Sequence, residues 1–160
     1  MPYLIDGNNL IFALAEVGPE VNRVGLCELL AGLVTAGQKV RVVFDGPPPA
    51  PPGGQRIAET GVTATFCPAG PADSEIIAAI ESDSAPRLLT VVSSDRQIRR
   101  AAAKRKCVSV TSEEFARRLS QMLRVAGEPA GGGGEPHEKR NGLTADDIRR
   151  WLDEFGLEEG

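Results

Sequence analysis

Short apolar runs alternate along the chain with segments whose apolar residues recur at helical spacing. The runs are rich in β-branched residues, which is typical of buried strands. They predict five strands, at Tyr3–Ile5, Val40–Phe44, Val62–Phe66, Leu88–Val92 and Val108–Val110. The segments between them predict helices at Asn9–Val17, Gly25–Ala36, Ser74–Glu81, Arg96–Arg105 and from Thr111 to about Leu123. Because strands that alternate with helices form βαβ crossovers, we expect an α/β fold with a mainly parallel sheet of about five strands.

Two segments interrupt this pattern and suggest how the chain is organised. Pro47–Gly54 is too rich in proline and glycine for a helix or strand, so it predicts a surface loop. Residues 126–142 contain four consecutive glycines and predict a flexible linker. After the linker, apolar residues at helical spacing predict a short amphipathic helix at 143–156. Residues 1–125 then form the main domain.

Acidic residues follow several of the predicted strands. Asp6, Asp45 and Asp95 each come at or just after a strand end, and Asp73 follows a turn that returns to the same edge. Binding sites of open parallel sheets form beyond the carboxyl ends of the strands, so we expect Asp6, Asp73 and Asp95 to cluster there. The alternative is that Asp73 and Asp95 only cap the helices that follow them. Asp45 is a less certain member, because Asp45-Gly46 also favours an ordinary turn.

Clustered carboxylates repel one another, and a hard cation relieves that repulsion. Mg²⁺ or Mn²⁺ prefers oxygen ligands of this kind and suits hydrolysis of a phosphodiester bond. Other phosphate chemistry is not indicated: the chain has no G-x-x-x-x-G-K-[ST] loop and no G-x-G-x-x-G after a strand. The only histidine, His137, falls in the predicted linker and is interpreted as a surface residue.

Composition narrows the class of protein. A formal net charge of −4 argues against a globally basic nucleic-acid-binding surface, so nucleic acid would have to meet a local basic patch. Three widely separated cysteines argue against a disulfide framework or a zinc site and favour a reducing compartment. Because the chain has no signal-like start and no long apolar stretch, we expect a cytoplasmic protein without a membrane partner.

Four sequence segments together resemble the NYN domain, a branch of the PIN-like nucleases, and within it the YacP-like bacterial subgroup. They are Leu4–Asn9, Val42–Gly46, Ala72–Ile77 and Val91–Asp95, and the tail from Glu138 to Gly156 resembles the end of that subgroup as well. The resemblance implies a PIN-like three-layer sandwich and a ribonuclease dependent on Mg²⁺ or Mn²⁺. It also implies RNA as the partner, with ribosome-associated mRNA as one context.

The resemblance assigns roles to individual residues. Asp6, Asp73 and Asp95 would be the catalytic, metal-binding acids. Asn8 or Asn9 would orient a water or a phosphate oxygen. Two serines, Ser93 and Ser94, would support Asp95 or contact the substrate, and Asp45 would be a further supporting residue. The chain departs from the family pattern at Asn8, where an aromatic residue is usual, and at Ser74-Glu75, where a second acid is expected closer to Asp73.

Positive charge for binding RNA follows Asp95 directly. Arg96, Arg99 and Arg100 fall on one side of the predicted helix, close to the acids, and predict contacts with phosphates. Aromatic residues make up only 4% of the chain. Tyr3, Phe12, Phe44 and Phe66 are interpreted as core residues, so recognition of the RNA backbone is favoured over stacking of bases.

Three functions are compatible with these features. The first is a metal-dependent endoribonuclease, in which the acids would bind the metal and the basic helix would bind the RNA. A second is an NYN module that binds RNA without cleaving it, and a third is a metal-dependent phosphoesterase acting on DNA or nucleotides.

Overall fold

The computed structural model describes residues 2–18 and 20–127, with side chains up to residue 121. The predicted helix at 143–156 and most of the predicted linker lie outside these residues. Five strands form one sheet: β1 (Pro2–Asp6), β2 (Lys39–Asp45), β3 (Thr63–Cys67), β4 (Thr90–Val92) and β5 (Val108–Val110). All neighbours pair in parallel, in the order β3-β2-β1-β4-β5, which confirms the predicted sheet.

Six helices connect and follow the strands. Their bounds are α1 (Gly7–Val17), α2 (Arg23–Thr35), α3 (Gly53–Glu59), α4 (Ala72–Ser82), α5 (Arg96–Lys104) and α6 (Ser112–Gly127). Five of them were predicted within a few residues of their observed ends. The exception is α3, because the predicted loop Pro47–Gly54 stops at Pro52 and Gly53 begins a helix.

The sheet is covered on both faces, as expected for a three-layer sandwich. Alternate residues of β1 point to opposite faces. Tyr3 and Ile5 lie in a core cluster with residues of α1, α2, α3 and α6, and Leu4 lies in a second cluster with residues of α4 and α5. Both faces of β1 are therefore buried, which explains its continuous apolar sequence.

Helix α1 begins directly where β1 ends, without an intervening loop. Its first residue, Gly7, is buried against β2. A Cβ added at Gly7 would lie 2.4 Å from Cε1 of Phe44 and 2.8 Å from Cγ1 of Val42. Only glycine allows the first turn of α1 to approach the sheet this closely.

One aromatic residue does not occupy its predicted position. Phe12 was expected in the core, but its side chain on α1 is 70% exposed. The buried residues of α1 are Gly7, Leu10, Ala13 and Leu14. Phe12 lies two positions from each buried leucine, which places it on the opposite side of the helix.

Within the part of the chain that the structure describes, no helix has the length and apolar character needed to cross a membrane.

Candidate active site

The carboxyl ends of the central strands open into a cleft of about 270 Å³. Strand order places the chain's change of direction between β1 and β4, which is where open parallel sheets form binding crevices. The cleft is lined by Asp6, Asn8, Asn9, Asp45, Pro71, Ala72, Asp73 and Asp95. All four acids that follow strands or precede helices in the sequence therefore reach one cavity. Glu75, the acid nearest to Asp73 in the sequence, is exposed on α4 and does not line the cleft.

Asp6 is the half-buried acid at the end of β1. Burial raises the pKa of its carboxyl group above the ordinary value of 3.8. The hydroxyl of Ser93 donates a hydrogen bond to Asp6 Oδ2 at 3.0 Å, and this bond and the backbone amide of Asn9 partly lower the pKa again. The negative charges of Asp45 and Asp95 add to the increase. Asp6 therefore lies where negative charge is already concentrated and poorly solvated.

The raised pKa of Asp6 predicts a pH-dependent loss of stability in the absence of metal. The folded state binds the Asp6 proton more tightly than the unfolded state, so its contribution is complete below pH 3.8 and is lost as pH rises through the native pKa. We expect carbon-detected NMR in EDTA to show Asp6 titrating above 3.8. An Asp6 midpoint at or below that value would contradict the burial described here.

Ser93 connects two of the acids. It is buried, and its Oγ donates to Asp6 while accepting the backbone N–H of Asp95 at 3.0 Å. Asp95 is the N-cap of α5: its Oδ1 accepts from the backbone N–H groups of Gln97 at 2.8 Å and Ile98 at 3.2 Å. The expected capping role of Asp95 is thus present, and it coexists with a place in the cleft.

Replacing Ser93 with alanine should destabilise the protein by about 1–3 kcal/mol, because the N–H of Asp95 loses its buried acceptor. The same change removes the donor to Asp6 and should raise the pKa of Asp6 further. Chemical denaturation and NMR titration measure the two effects. Ser109→Ala, on an exposed position of β5, is the control. Equal stability of the two variants would show that the Ser93 bridge contributes little.

A second chain of hydrogen bonds positions Asp73. The side-chain oxygen of Asn8 accepts the backbone N–H of Asp45 at 2.9 Å. Asp45 Oδ1 accepts the N–H of Ala72, the first residue of α4, at 2.6 Å. Asp45 thus binds the amino end of the helix that carries Asp73, a contact that sequence analysis missed.

Asp73 differs from the other acids in what surrounds it. It lies inside the first turn of α4 and does not cap the helix, whose N-cap is Pro71. Its Oδ1 atom is buried and accepts no hydrogen bond from the residues that the structure describes. A buried carboxylate oxygen without a partner is costly, so this atom is suited to bind a group that the protein itself does not provide.

Asn9 and Ser94 join the cleft to α6. Asn9 Oδ1 accepts the N–H of Ser94 at 2.9 Å and the hydroxyl of Ser112 at 2.5 Å. The hydroxyl of Ser94 donates to Glu113 and accepts the N–H of Ser112 at 3.0 Å. These bonds hold the start of α6 against β4. Ser112 and Glu113 were not identified from the sequence, since each lies far along the chain from its partners.

The basic residues near the acids fall into two groups. Arg96, Arg99 and Arg100 are exposed on α5, the helix that Asp95 caps. Arg105, which follows α5, is half-buried and donates to the carbonyl oxygens of Ile80 and Asp83. The three arginines are therefore exposed on the helix that follows Asp95, and their contact with RNA stays a prediction, while Arg105 is structural.

The proline-rich segment does not line the cleft. Its first residue, Pro47, accepts a hydrogen bond from the guanidinium of Arg23 at 2.6 Å. The same guanidinium lies 5.3 Å from the centre of the Phe66 ring. Arg23 thus fixes the start of this segment against β3.

The donor set is compatible with a hard divalent cation. The acids provide only oxygen ligands, and one buried carboxylate oxygen, Oδ1 of Asp73, has no partner among the described residues. Over residues 2–18 and 20–127, however, no three histidine, cysteine, aspartate or glutamate side chains are arranged closely enough to hold a metal ion. A Mg²⁺ ion bound here would be held by one or two of these carboxylates together with water or phosphate oxygens.

Comparison with known families decides the identity of the fold. The family model of the YacP-like NYN domain matches residues 3–151. The chain belongs to the YacP-like NYN domain family. This family is of the PIN-like nuclease type, which supports a nuclease-type function with RNA as the substrate.

Two solved structures of a YacP protein share the fold. The crystal structure of Rae1 (YacP) from Bacillus subtilis matches with a TM-score of 0.57 and 18% identity, over 99% of this chain and 86% of that one. A mutant of the same protein matches with a TM-score of 0.56 and 22% identity, over 99% of this chain and 87% of that one. No curated protein matches the chain.

Proposed function

We propose that this YacP-like NYN protein is a metal-dependent endoribonuclease that hydrolyses RNA phosphodiester bonds. The observation that carries the proposal is the cleft at the carboxyl edge of the sheet, which Asp6, Asp73 and Asp95 line and in which Asp73 Oδ1 is buried without a partner among the described residues. A buried, partnerless carboxylate oxygen among other acids is explained by a cation more readily than by a structural role.

Asp6, Asp73 and Asp95 would hold Mg²⁺ or Mn²⁺. A divalent ion, when bound, supplies charge neutralisation at the phosphate and activates water for attack. Ser93 orients the Asp6 carboxylate through its hydrogen bond, and Asp45 positions the helix that carries Asp73. The exposed side chain of Asn8 faces the same cleft, where its amide nitrogen can donate to a phosphate oxygen.

The three arginines of α5 would bind the RNA backbone. Changing Arg96, Arg99 and Arg100 together to glutamine should weaken binding of single-stranded RNA and reduce the slope of log affinity against log salt by about 2, or about 0.7 for each lost phosphate contact. Fluorescence anisotropy at several salt concentrations measures this slope.

The matched control removes three positive charges at the opposite edge of the sheet. Its changes are Lys39→Gln, Arg87→Gln and Lys106→Gln, all at exposed positions at or just before the first residue of a strand. A control that weakens RNA binding as much as the α5 variant would indicate a general charge effect and would contradict a defined binding surface on α5.

A second candidate function is RNA binding without cleavage. It is favoured by one observation: the acids of the described residues are not arranged to hold a metal as they stand. The same cleft and the same arginines would then serve only for recognition. The translation-linked context that the family resemblance implies remains a prediction under either function.

One experiment separates the candidates. The purified protein and its Asp95→Asn variant are incubated with single-stranded RNA, structured RNA and DNA, each in Mn²⁺, Mg²⁺ or EDTA. Asparagine is a good N-cap, so the variant should keep α5 while losing the carboxylate charge. Circular dichroism and thermal melting check the fold of the variant.

The outcomes differ clearly. RNA cleavage that requires metal and disappears in Asp95→Asn supports the endoribonuclease. RNA binding with no cleavage under any condition supports the second candidate. Metal-dependent cleavage of DNA but not of RNA would replace both with a phosphoesterase acting on DNA.

A further inference from the structure

The exposed ring of Phe12 is the feature that the proposed function leaves unexplained. Its side chain is 70% exposed on α1, whereas Tyr3 and Phe44 are buried and Phe66 is half-buried. An exposed aromatic ring contributes nothing to the core and leaves apolar surface in water. Single exposed apolar residues are common on proteins, so exposure alone does not indicate a function. The location of Phe12 relative to the cleft provides the further evidence.

Phe12 lies on the same side of α1 as a residue of the cleft. Asn8 lines the cleft, and Phe12 follows it by four residues, which is one helical turn or about 6 Å along the axis. Side chains of a helix tilt towards its amino end. Because α1 begins at the cleft, this tilt is expected to bring the side chain of Phe12 towards the end of the helix that carries Asn8.

We propose that Phe12 is a stacking platform for a base of single-stranded RNA, next to the phosphate held in the cleft. The inference rests on the proposed function and names the form of its substrate, a strand with unpaired bases. Unpaired bases stack on exposed aromatic rings irrespective of sequence, and a base in a duplex cannot reach such a ring. Phe12 is thus a binding residue that distinguishes single-stranded from double-stranded RNA.

The test compares four full-length proteins: the wild type, Phe12→Ala, Phe12→Leu and Phe12→Trp. Leucine keeps the apolar character without a ring, and tryptophan keeps a ring. Leu88→Ala is the matched control, because Leu88 is 45% exposed and precedes β4 at the opposite edge of the sheet. Affinity for a short unstructured RNA labelled with fluorescein is measured in EDTA, so that binding is observed without cleavage. The same RNA with abasic positions and a duplex RNA are measured alongside.

We expect Phe12→Ala and Phe12→Leu to weaken binding by about 5- to 150-fold, which corresponds to about 1–3 kcal/mol for one stacked base. Phe12→Trp should retain wild-type affinity, and Leu88→Ala should have no effect. An abasic position at the stacked nucleotide should abolish the difference between wild type and Phe12→Ala. If the wild type cleaves the RNA in Mn²⁺, the variants should raise KM and leave kcat near its wild-type value.

Three results would overturn the inference. Equal RNA affinity of wild type and Phe12→Ala would exclude stacking, even if metal-dependent cleavage confirms the proposed function. Rescue by leucine would indicate general apolar contact. A clear fall in the melting temperature of Phe12→Ala without RNA would show that another part of the chain or a second copy covers the ring. Conversely, RNA binding that depends on Phe12 without any cleavage supports the inference while rejecting the endoribonuclease.

Discussion

Replacing Asp6 with asparagine should abolish RNA cleavage and, in EDTA at neutral pH, stabilise the protein. Loss of one metal-binding carboxylate is expected to lower the cleavage rate by about a thousandfold, or about 4 kcal/mol of transition-state stabilisation. The gain in stability has a separate cause. Burial and the charges of Asp45 and Asp95 raise the pKa of Asp6, so its ionised form opposes folding at neutral pH.

The two expected changes have opposite signs, which makes the result easy to interpret. Misfolding would lower both activity and melting temperature, whereas loss of the Asp6 charge should lower activity and raise melting temperature. The gain should disappear below pH 3.8, where Asp6 is protonated in the wild type as well. The neutral side chain can still accept the hydrogen bond from Ser93, so the local geometry should persist.

Metal provides a further distinction between wild type and variant. Mn²⁺ should raise the melting temperature of the wild type, because it binds the folded state, and should raise that of Asp6→Asn much less. Glu81→Gln, at an exposed position late in α4, removes the same charge away from the cleft and is the control. Cleavage by Asp6→Asn at the wild-type rate would remove Asp6 from the proposed site.

Much of the fold could be predicted because its signals are local. The apolar runs of β1 and β2 and the helical spacing in α2 are readable along the chain, and parallel pairing follows from their alternation. Parallel pairing in turn predicts that acids after different strands reach one edge. Asp6 and Asp95 therefore line one cleft, although 89 positions separate their numbers in the sequence.

Helix α3 shows where local signals fail. Its sequence begins with two glycines after a run of prolines, and Ile57 is its only buried residue. Such a short helix has little intrinsic stability. It is held from outside, by burial of Ile57 and by the ion pair of Arg56 with Glu28 on α2 at 2.6 Å. Contacts between elements thus override the helix-breaking composition, and no local pattern reveals them.

The candidate site contains some features that local sequence signals predict and others that depend on contacts between elements. The position of Asp73 after a turn could be predicted from the sequence. The hydrogen bond from the N–H of Ala72 to Asp45 could not, because it depends on how α4 packs against β2. Exposure of Phe12 could have been predicted, because it falls opposite Leu10 and Leu14 on a helical projection. The aromatic side chain of Phe12 suggests burial, whereas its spacing from the two leucines indicates exposure.

Replacing Gly7 with alanine should destabilise the protein through a steric clash in the core. The new Cβ would lie 2.4 Å and 2.5 Å from two ring atoms of Phe44, and 2.8 Å from Val42, all of them buried. Neither the ring nor the strand below it can move freely in a packed core. We expect a loss of about 1–3 kcal/mol, seen as a fall in melting temperature of about 2–4 °C for each kcal/mol.

The Gly7 substitution should also reduce cleavage, because Gly7 joins Asp6 to Asn8 and any outward shift of α1 moves both away from the cleft. Gly70→Ala is the control: a Cβ at Gly70 meets nothing within 4 Å, so that variant should keep wild-type stability or gain slightly. Adding Phe44→Leu to Gly7→Ala removes the ring atoms that collide and should recover part of the loss. If the double variant loses more unfolding free energy than the two single variants lose together, the clash with Phe44 is not the cause.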